Sequence, residues 1–347
     1  MASGVGVVAG SFDRHTTVVQ SVTKMMTPTS MSVPSSSASP NWPAVADSVA
    51  PSVVSITTTG SGGSQTGSGV LYTAGGDQSY ILTSAGLIGD GRIQVTFDDR
   101  ESQYAHVVGV DHKTGLGLVS VAGSSRIFPT FSSEATLQVA EPVLAVGAPN
   151  SRLIGSSVVA GSISALDEAI NVDDASTMEG LVAVNTSTAV GGDAGGAVVN
   201  AQGTVVGLEA LVNSPDSSSN GQSFVIPIDT AQHVARQMLA GQRVTHPWLG
   251  TVDTADLSTA TAHQLQLPGG AKVTHVTPAS PAQHAGLTPS DVITSFNGHP
   301  VASTGALTQL VANCDPGYRA TVSYLHNGRP ASANVTLAET PGDVDLG

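Results

Sequence analysis

From Val49 to Ile226 the chain alternates short β-branched and aliphatic runs with Gly, Asn, Asp and Ser at near-regular intervals. Strands are expected at Val49–Ile56, Gly67–Tyr72, Tyr80–Thr83, Ile93–Phe97, His106–Val110 and Leu116–Val121. Such side chains suit a pleated surface, and the residues between them favour turns. A second series is expected at Val143–Gly147, Ser157–Leu166, Leu181–Asn185, Ala197–Asn200, Val205–Val212 and Ser223–Ile226. The period then changes. Ala231, Val234, Ala235, Met238 and Leu239 fall at helical spacing, which predicts a helix over Asp229–Leu239 with Asp229 or Thr230 as its N-cap. A last segment from Trp248 to about Leu337 mixes strands near Gly250–Val252, Ala271–Val276, Val292–Phe296, Thr321–Leu325 and Ala333–Leu337 with a helix near Gly305–Ala312. These patterns describe a mainly β chain of barrels or a sandwich, followed by one small α+β domain.

Ahead of the first strand the pattern is poorer. Thr27–Pro43 is rich in Ser, Thr, Pro and Met, too little apolar surface to offset the entropy of ordering, so it reads as a linker. Order is expected from Val45, with a helical turn leading into the first strand. Met1–Gly10 lacks the basic flank of a signal peptide and fits the last turns of an anchor beginning upstream of this chain.

Composition narrows the function. Of 347 residues, 12 are Lys or Arg and 26 are Asp or Glu, a net charge of −14, which opposes nucleic-acid binding. The 39 Gly and 19 Pro fit a chain of many turns. No run reaches the roughly 18 consecutive apolar residues of a membrane helix. The single cysteine, Cys314, excludes an intrachain disulfide and reads as a small buried hydrophobe. Ten histidines show no metal-ligand spacing with Cys, Asp or Glu, and neither a metal nor another cofactor is expected.

Several strings in fixed order resemble the HtrA/DegP family of trypsin-like serine proteases with a C-terminal PDZ domain. They are Val49-Ala50-Pro51-Ser52-Val53-Val54, Gly67-Ser68-Gly69-Val70, Tyr80-Ile81-Leu82-Thr83, Ala145-Val146-Gly147-Ala148-Pro149, Val159 to Leu166, and Phe224-Val225-Ile226-Pro227-Ile228-Asp229. The resemblance runs from about Val45 to Leu337. It implies two six-stranded antiparallel barrels followed by a small α+β PDZ domain. The implied layout is a tail and linker over 1–43, the double barrel over 44–240, a linker over 241–247, the PDZ domain over 248–338 and a tail over 339–347.

The same resemblance locates three positions of interest. The catalytic His of active members falls at Gly86, after Thr83-Ser84-Ala85. The orienting Asp falls at Gly115, in Thr114-Gly115-Leu116-Gly117. The nucleophile falls at Ala194, in Gly192-Asp193-Ala194-Gly195-Gly196. Neither glycine nor alanine can act as base, orienter or nucleophile, which implies a pseudoprotease. Three separated changes read as natural divergence rather than a single deliberate inactivation. The backbone of Gly192, Asp193 and Ala194 is expected to keep an oxyanion loop. Ser84, Ser187 and Thr188 read as surface or turn hydroxyls, and His112 as exposed beyond a strand end.

In the PDZ-like segment, Trp248-Leu249-Gly250-Thr251 matches the family's carboxylate-binding loop, and an added peptide strand would pair along Gly250–Asp253, next to Val252. Ser280 to Leu287, Asp291-Val292-Ile293 and Phe296-Asn297-Gly298 match that domain's central signature. Leu307, Leu310 and Val311 are expected to line the pocket for an apolar ligand terminus, with Arg243 a distant partner for its carboxylate. The resemblance therefore implies a scaffold or adaptor that binds C-terminal peptides or unfolded protein segments. The alternatives are a serine endopeptidase or quality-control protease or chaperone whose site is unconventional or completed by a partner. It also implies an extracytoplasmic place, in the cell envelope or secreted, and a homo-oligomer, a trimer.

Overall fold

The computed structural model describes residues 40–341, apart from residues 62, 124–125, 133–136, 149–156, 172–176, 187–193 and 212–221. The first element is α1 (Trp42–Val49), whose N-cap Asn41 accepts from the Ala44 N–H. It begins inside the stretch expected to be linker and runs through Val49. A short 3₁₀ turn over Ala50–Ser52 follows, so the first strand starts at Val53 rather than Val49. Pro51, with its fixed φ and no N–H, suits the turn better than a central strand.

The first barrel comprises β1 (Val53–Gly60), β2 (Gly63–Gly75), β3 (Gln78–Ser84), β4 (Arg92–Thr96), β5 (Ser102–Asp111) and β6 (Leu116–Ala122), closed in the order β1-β2-β3-β6-β5-β4. The second comprises β7 (Pro142–Gly147), β8 (Ser157–Asn171), β9 (Thr177–Thr186), β10 (Ala197–Val199), β11 (Val205–Glu209) and β12 (Gln222–Pro227), closed as β10-β11-β12-β9-β8-β7. Both are antiparallel and six-stranded. Closure leaves neither barrel a free edge.

Several strands, β1, β2, β3 and β6 in the first barrel and β7, β10 and β12 in the second, are apolar on both faces, and this joins the barrels. Side chains alternate across a strand, so adjacent residues part company. Val54, Leu71, Ile81 and Val119 fill the first barrel, while their neighbours Val53, Val70, Leu82 and Leu118 point outwards into a shared core. In the second barrel Val143, Val198 and Val225 face inwards, while Leu144, Val199 and Ile226 meet the same shared core. The residues Val45, Ala46 and Val49 of α1 also enter it. So do Ile228, Ala231, Val234 and Met238 of α2 (Ile228–Leu239). Helix α2 starts one residue earlier than expected and is capped by Pro227 without a side-chain bond. Asp229 sits in its first turn, favourable to the helix dipole, rather than at the cap.

The small domain follows as β13 (Pro247–Trp248), β14 (Thr251–Asp256), α3 (Thr259–Leu265), β15 (Ala271–Val276), α4 (Pro281–His284), β16 (Val292–Phe296), β17 (His299–Pro300), α5 (Thr304–Ala312), β18 (Arg319–His326), β19 (Arg329–Thr336) and β20 (Ala338–Glu339). Its main sheet runs β14-β15-β16-β18-β19, with β17 beside β16, and β13 pairs β20. Strand β14 is an edge. Its core holds Leu249, Val273, Ile293, Phe296, Leu307 and Val322. Cys314 lies half-buried against that core, and burial, aided by Asp315, pushes its thiol up to about 11, so it remains protonated and unreactive near neutrality.

Leu118 is fully buried in the shared core. Leu118→Ala is expected to cost about 2–5 kcal/mol, read as a lower denaturation midpoint. An exposed control, Val139→Ala, is expected to change little.

Candidate functional site

Two places carry the candidate residues: the seam between the barrels and a groove beside the small domain. At the seam, β3 ends in Ser84 and passes into a 3₁₀ turn over Ala85–Leu87. The Ala85 N–H donates to the Gly115 carbonyl at 2.7 Å, placing Gly86 and Gly115 on neighbouring turns. Gly86 is exposed and Gly115 buried. Ser84, read from sequence as a surface or turn hydroxyl, stands at the start of this turn and is buried. Its Oγ accepts the Leu211 N–H at 2.9 Å, and Leu211 flanks Gly86, where a Cβ would lie 3.1 Å from the Leu211 Cδ2.

Ala194 enters from the second barrel, its carbonyl accepting the Ser68 N–H at 2.8 Å. A Cβ at Gly67 would fall 2.4 Å from the Leu87 Cδ1 and 2.8 Å from the Ala194 oxygen, so Gly67 touches both the Gly86 turn and the Ala194 loop. The structure thus gathers Gly86, Gly115 and Ala194 at one seam, where none of the three brings a polar side-chain atom. Gly192, Asp193, Ser187 and Thr188 lie outside the described residues.

The space beside Gly115 is filled. Gly115 has φ +76°, a left-handed conformation unfavourable to a side chain. A Cβ there would sit 2.2 Å from the Met178 Cε, a methyl on buried β9. Sequence reading gave no hint of Met178, because the contact joins strands of different barrels and leaves no local pattern. The turn into Gly115 is held by Asp111, which accepts the Thr114 N–H at 3.1 Å, the Thr114 hydroxyl, and His246 Nε2 at 3.1 Å. Burial pushes the Asp111 carboxyl up, but His246 and the Thr114 bonds together outweigh it and hold it below the usual aspartate range. His112, next to it, is exposed, as expected.

The groove is a cavity of about 230 Å³ between edge strand β14 and α5. Trp248, Leu249, Gly250, Thr251, Leu307 and Val311 line it. The side chain of Val252 lies outside the described residues. Leu310 lines no part of the cavity and instead packs against the small-domain core, displaced by the helical period from the face of Leu307 and Val311. Gly250 has φ +87°, and a Cβ there would lie 2.2 Å from that of Ser280, so only glycine fits this loop. The Leu249 and Gly250 carbonyls accept from Ala282 and Thr277 at 2.9 and 3.0 Å, which fixes the loop from behind. Among the described residues β14 pairs only with β15, which leaves an outer edge where an extended peptide can add as a strand. Arg243 faces Glu339, with which it forms an ion pair.

One wall was not foreseen. Lys113, Thr114, Glu179 and Gly180 of the barrels line the same cavity, together with His246 of the linker. Among the described residues no cluster could hold a metal ion, and no helix is long and apolar enough to cross a membrane.

The profile of the trypsin-like peptidase domain matches residues 67–208 and that of the PDZ domain residues 249–337. A probable periplasmic serine endoprotease DegP-like of Pseudomonas putida (strain W619) is 32% identical over 285 residues, which are 81% of this chain and 57% of that protein. The serine protease Do-like HtrA of Lactococcus lactis subsp. cremoris is 29% identical over 296 residues, 81% of this chain and 73% of its own length. The chain thus spans little more than half of the DegP-like relatives it matches. Among solved structures, the HtrA-type protease AlgW with tripeptide superposes with a TM-score of 0.61 at 27% identity, covering 87% of this chain and 98% of AlgW. Two closed six-stranded barrels, a following PDZ domain and these likenesses agree: the chain belongs to the HtrA-type family of trypsin-like peptidase domains with a C-terminal PDZ domain.

Proposed function

We propose that this protein is a catalytically inactive member of its family, a scaffold or adaptor that binds C-terminal peptides or unfolded segments in its PDZ groove. The observation that carries this reading is the content of the seam. Positions 86, 115 and 194, where the family resemblance puts base, orienter and nucleophile, are glycine, glycine and alanine, and the Met178 methyl stands in the space beside Gly115. Acyl transfer to a serine needs a hydroxyl, an imidazole to take its proton and a carboxylate to hold that imidazole in the right tautomer. Backbone donors alone leave roughly 10³ to 10⁴-fold acceleration over water, negligible for a peptide bond. The groove, by contrast, keeps an open strand edge, a carboxylate loop that only glycine fits, and the apolar side chains of Leu307 and Val311. The periplasmic description of the DegP-like relatives supports an extracytoplasmic place for this chain.

The protease names of the relatives favour a second reading, a serine endopeptidase with an unconventional or partner-completed site. Reaction with a fluorophosphonate separates the two. The purified chain is expected to form no covalent adduct and to leave casein intact, whereas a stoichiometric adduct with casein fragments would establish the protease.

Restoring chemistry tests whether the seam is merely stripped or also filled. The triple variant Gly86→His, Gly115→Asp, Ala194→Ser is expected to cleave about 100-fold more slowly than the same variant with Met178→Ala added, because the new carboxylate is otherwise displaced. Equal rates would show that Met178 yields freely. A peptide with an apolar terminal residue and free carboxylate is expected to bind the full chain, and its C-terminal amide about tenfold or more weakly. Gly250→Ala should remove the difference in a titration followed by fluorescence anisotropy, and its persistence would place the carboxylate elsewhere.

A further inference from the structure

Helix α5, one wall of the groove, also seats the small domain on the second barrel. At Gly305 the two come so close that a Cβ would lie 2.7 Å from the Asp167 Cβ and 3.3 Å from the carbonyl carbon and oxygen of Leu166. Both barrel residues belong to β8, and Asp167 has φ +61°. Its half-buried carboxyl bonds the side chain of Thr308, one turn along α5 from Gly305. Among the described residues the charged groups acting on it are acidic: Glu179 on β9, Glu168 on its own strand and Asp256 at the end of β14. The first N–H of α5, at Thr304, is already taken by the Asp256 carboxylate at 2.7 Å, so the helix terminus does not offer that donor to Asp167. An ionised Asp167 therefore meets three like charges and lost solvent, while a protonated one can donate to Thr308 or accept from it.

We propose that Asp167 is an acid latch: protonated, it lets the PDZ domain dock through α5 on the second barrel, and ionised, it releases that contact and opens the barrel-facing side of the peptide groove. This deepens the groove reading with its regulation. Burial, first, and then the neighbouring carboxylates push the Asp167 carboxyl from 3.8 up to about 6, against the lowering effect of Thr308. Undocking returns solvent to the carboxyl and takes Asp256 away, while Glu168 and Glu179 stay on the barrel, so the freed carboxyl falls back part of the way towards its ordinary value. The docked form therefore holds its proton more tightly, and docking is favoured in acid and lost as pH rises through about 6.

At the far end of the junction, His233 Nε2 of α2 lies 3.5 Å from Asp315 Oδ1. Burial holds that histidine below its ordinary range, with Asp315 opposing. Its charge also changes on the acid side, so variants at Asp167 rather than the unaltered chain carry the test. His246, in the linker, bonds Asp111 rather than any group near Asp167.

The test is a distance distribution by dipolar electron spin resonance on the full chain, spin-labelled through Val139→Cys on the second barrel and Tyr318→Cys on the small domain, both exposed. No peptide is present, so the outcome is independent of whether the groove binds chain ends. From about pH 5 to about pH 7.5 the ratio of docked to undocked molecules is expected to fall about tenfold. Asp167→Asn should remove that fall. Glu179→Gln, by withdrawing one like charge, should move the midpoint to lower pH. Gly305→Ala should leave the domains apart at both pH values, since its methyl cannot fit against β8. A distribution that does not change with pH, or one that changes equally in Asp167→Asn, would overturn the proposal.

Discussion

Val53 and Val54, Val70 and Leu71, Ile81 and Leu82, Leu118 and Val119 are neighbours in sequence that face opposite ways, one into a barrel and the other into the core between barrels. The same division recurs at Val143 and Leu144 and at Val225 and Ile226. A strand with one apolar face could close a barrel but could not join two. In these strands both faces are buried, so a slip of one residue would exchange the two cores, and their register is held tightly. The shared core sets the positions of everything at its rim. The Ser84–Leu87 turn, the Gly115 turn and the Ala194 loop are loop ends of strands whose outward residues are locked there.

That rigidity fixes the seam whatever side chains its turns carry. The seam still brings three turns together, tied by Ala85 to Gly115 and by Ser68 to Ala194. With no side chain at Gly115, the Met178 methyl fills the space beside it, and Leu211 flanks the exposed Gly86. Protein interiors fill to near crystal density, so space vacated by a side chain is taken by flexible neighbours, methionine above all. Function in our account has moved to the groove, where the barrel contributes a wall through Lys113, Thr114, Glu179 and Gly180.

Much of the fold was legible because strand signals are local. Each of the twelve barrel strands has a counterpart among the expected runs, and the boundaries erred where neighbours decided: Val49 joined a helix because its face meets the shared core, and β11 ended at Glu209 rather than Val212. The small domain's short elements were harder. Helices α3 and α4 and the β13–β20 pair have too few residues to show a period. At the candidate sites, the motif strings pointed to Gly86, Gly115, Ala194 and the Trp248–Thr251 loop, and the helix to Leu307 and Val311, which with that loop line the cavity. Ser84 stands at a turn, as read, but is buried, and Leu310 faces the small-domain core, because burial and helical face depend on distant strands. Nothing in the sequence pointed to Met178, Asp167 or the Asp111–His246 bond, because each is a contact across more than one element.

The central claim is that this molecule holds chain ends without cutting them. It is tested most directly by recording amide resonances of the isotopically labelled full chain while a peptide with a free apolar C-terminus is added and kept for days. Our account predicts shifts confined to Leu249–Asp256 and α5, with the peptide intact throughout. Shifts centred on Gly86 and Ala194, accompanied by peptide fragments, would contradict it.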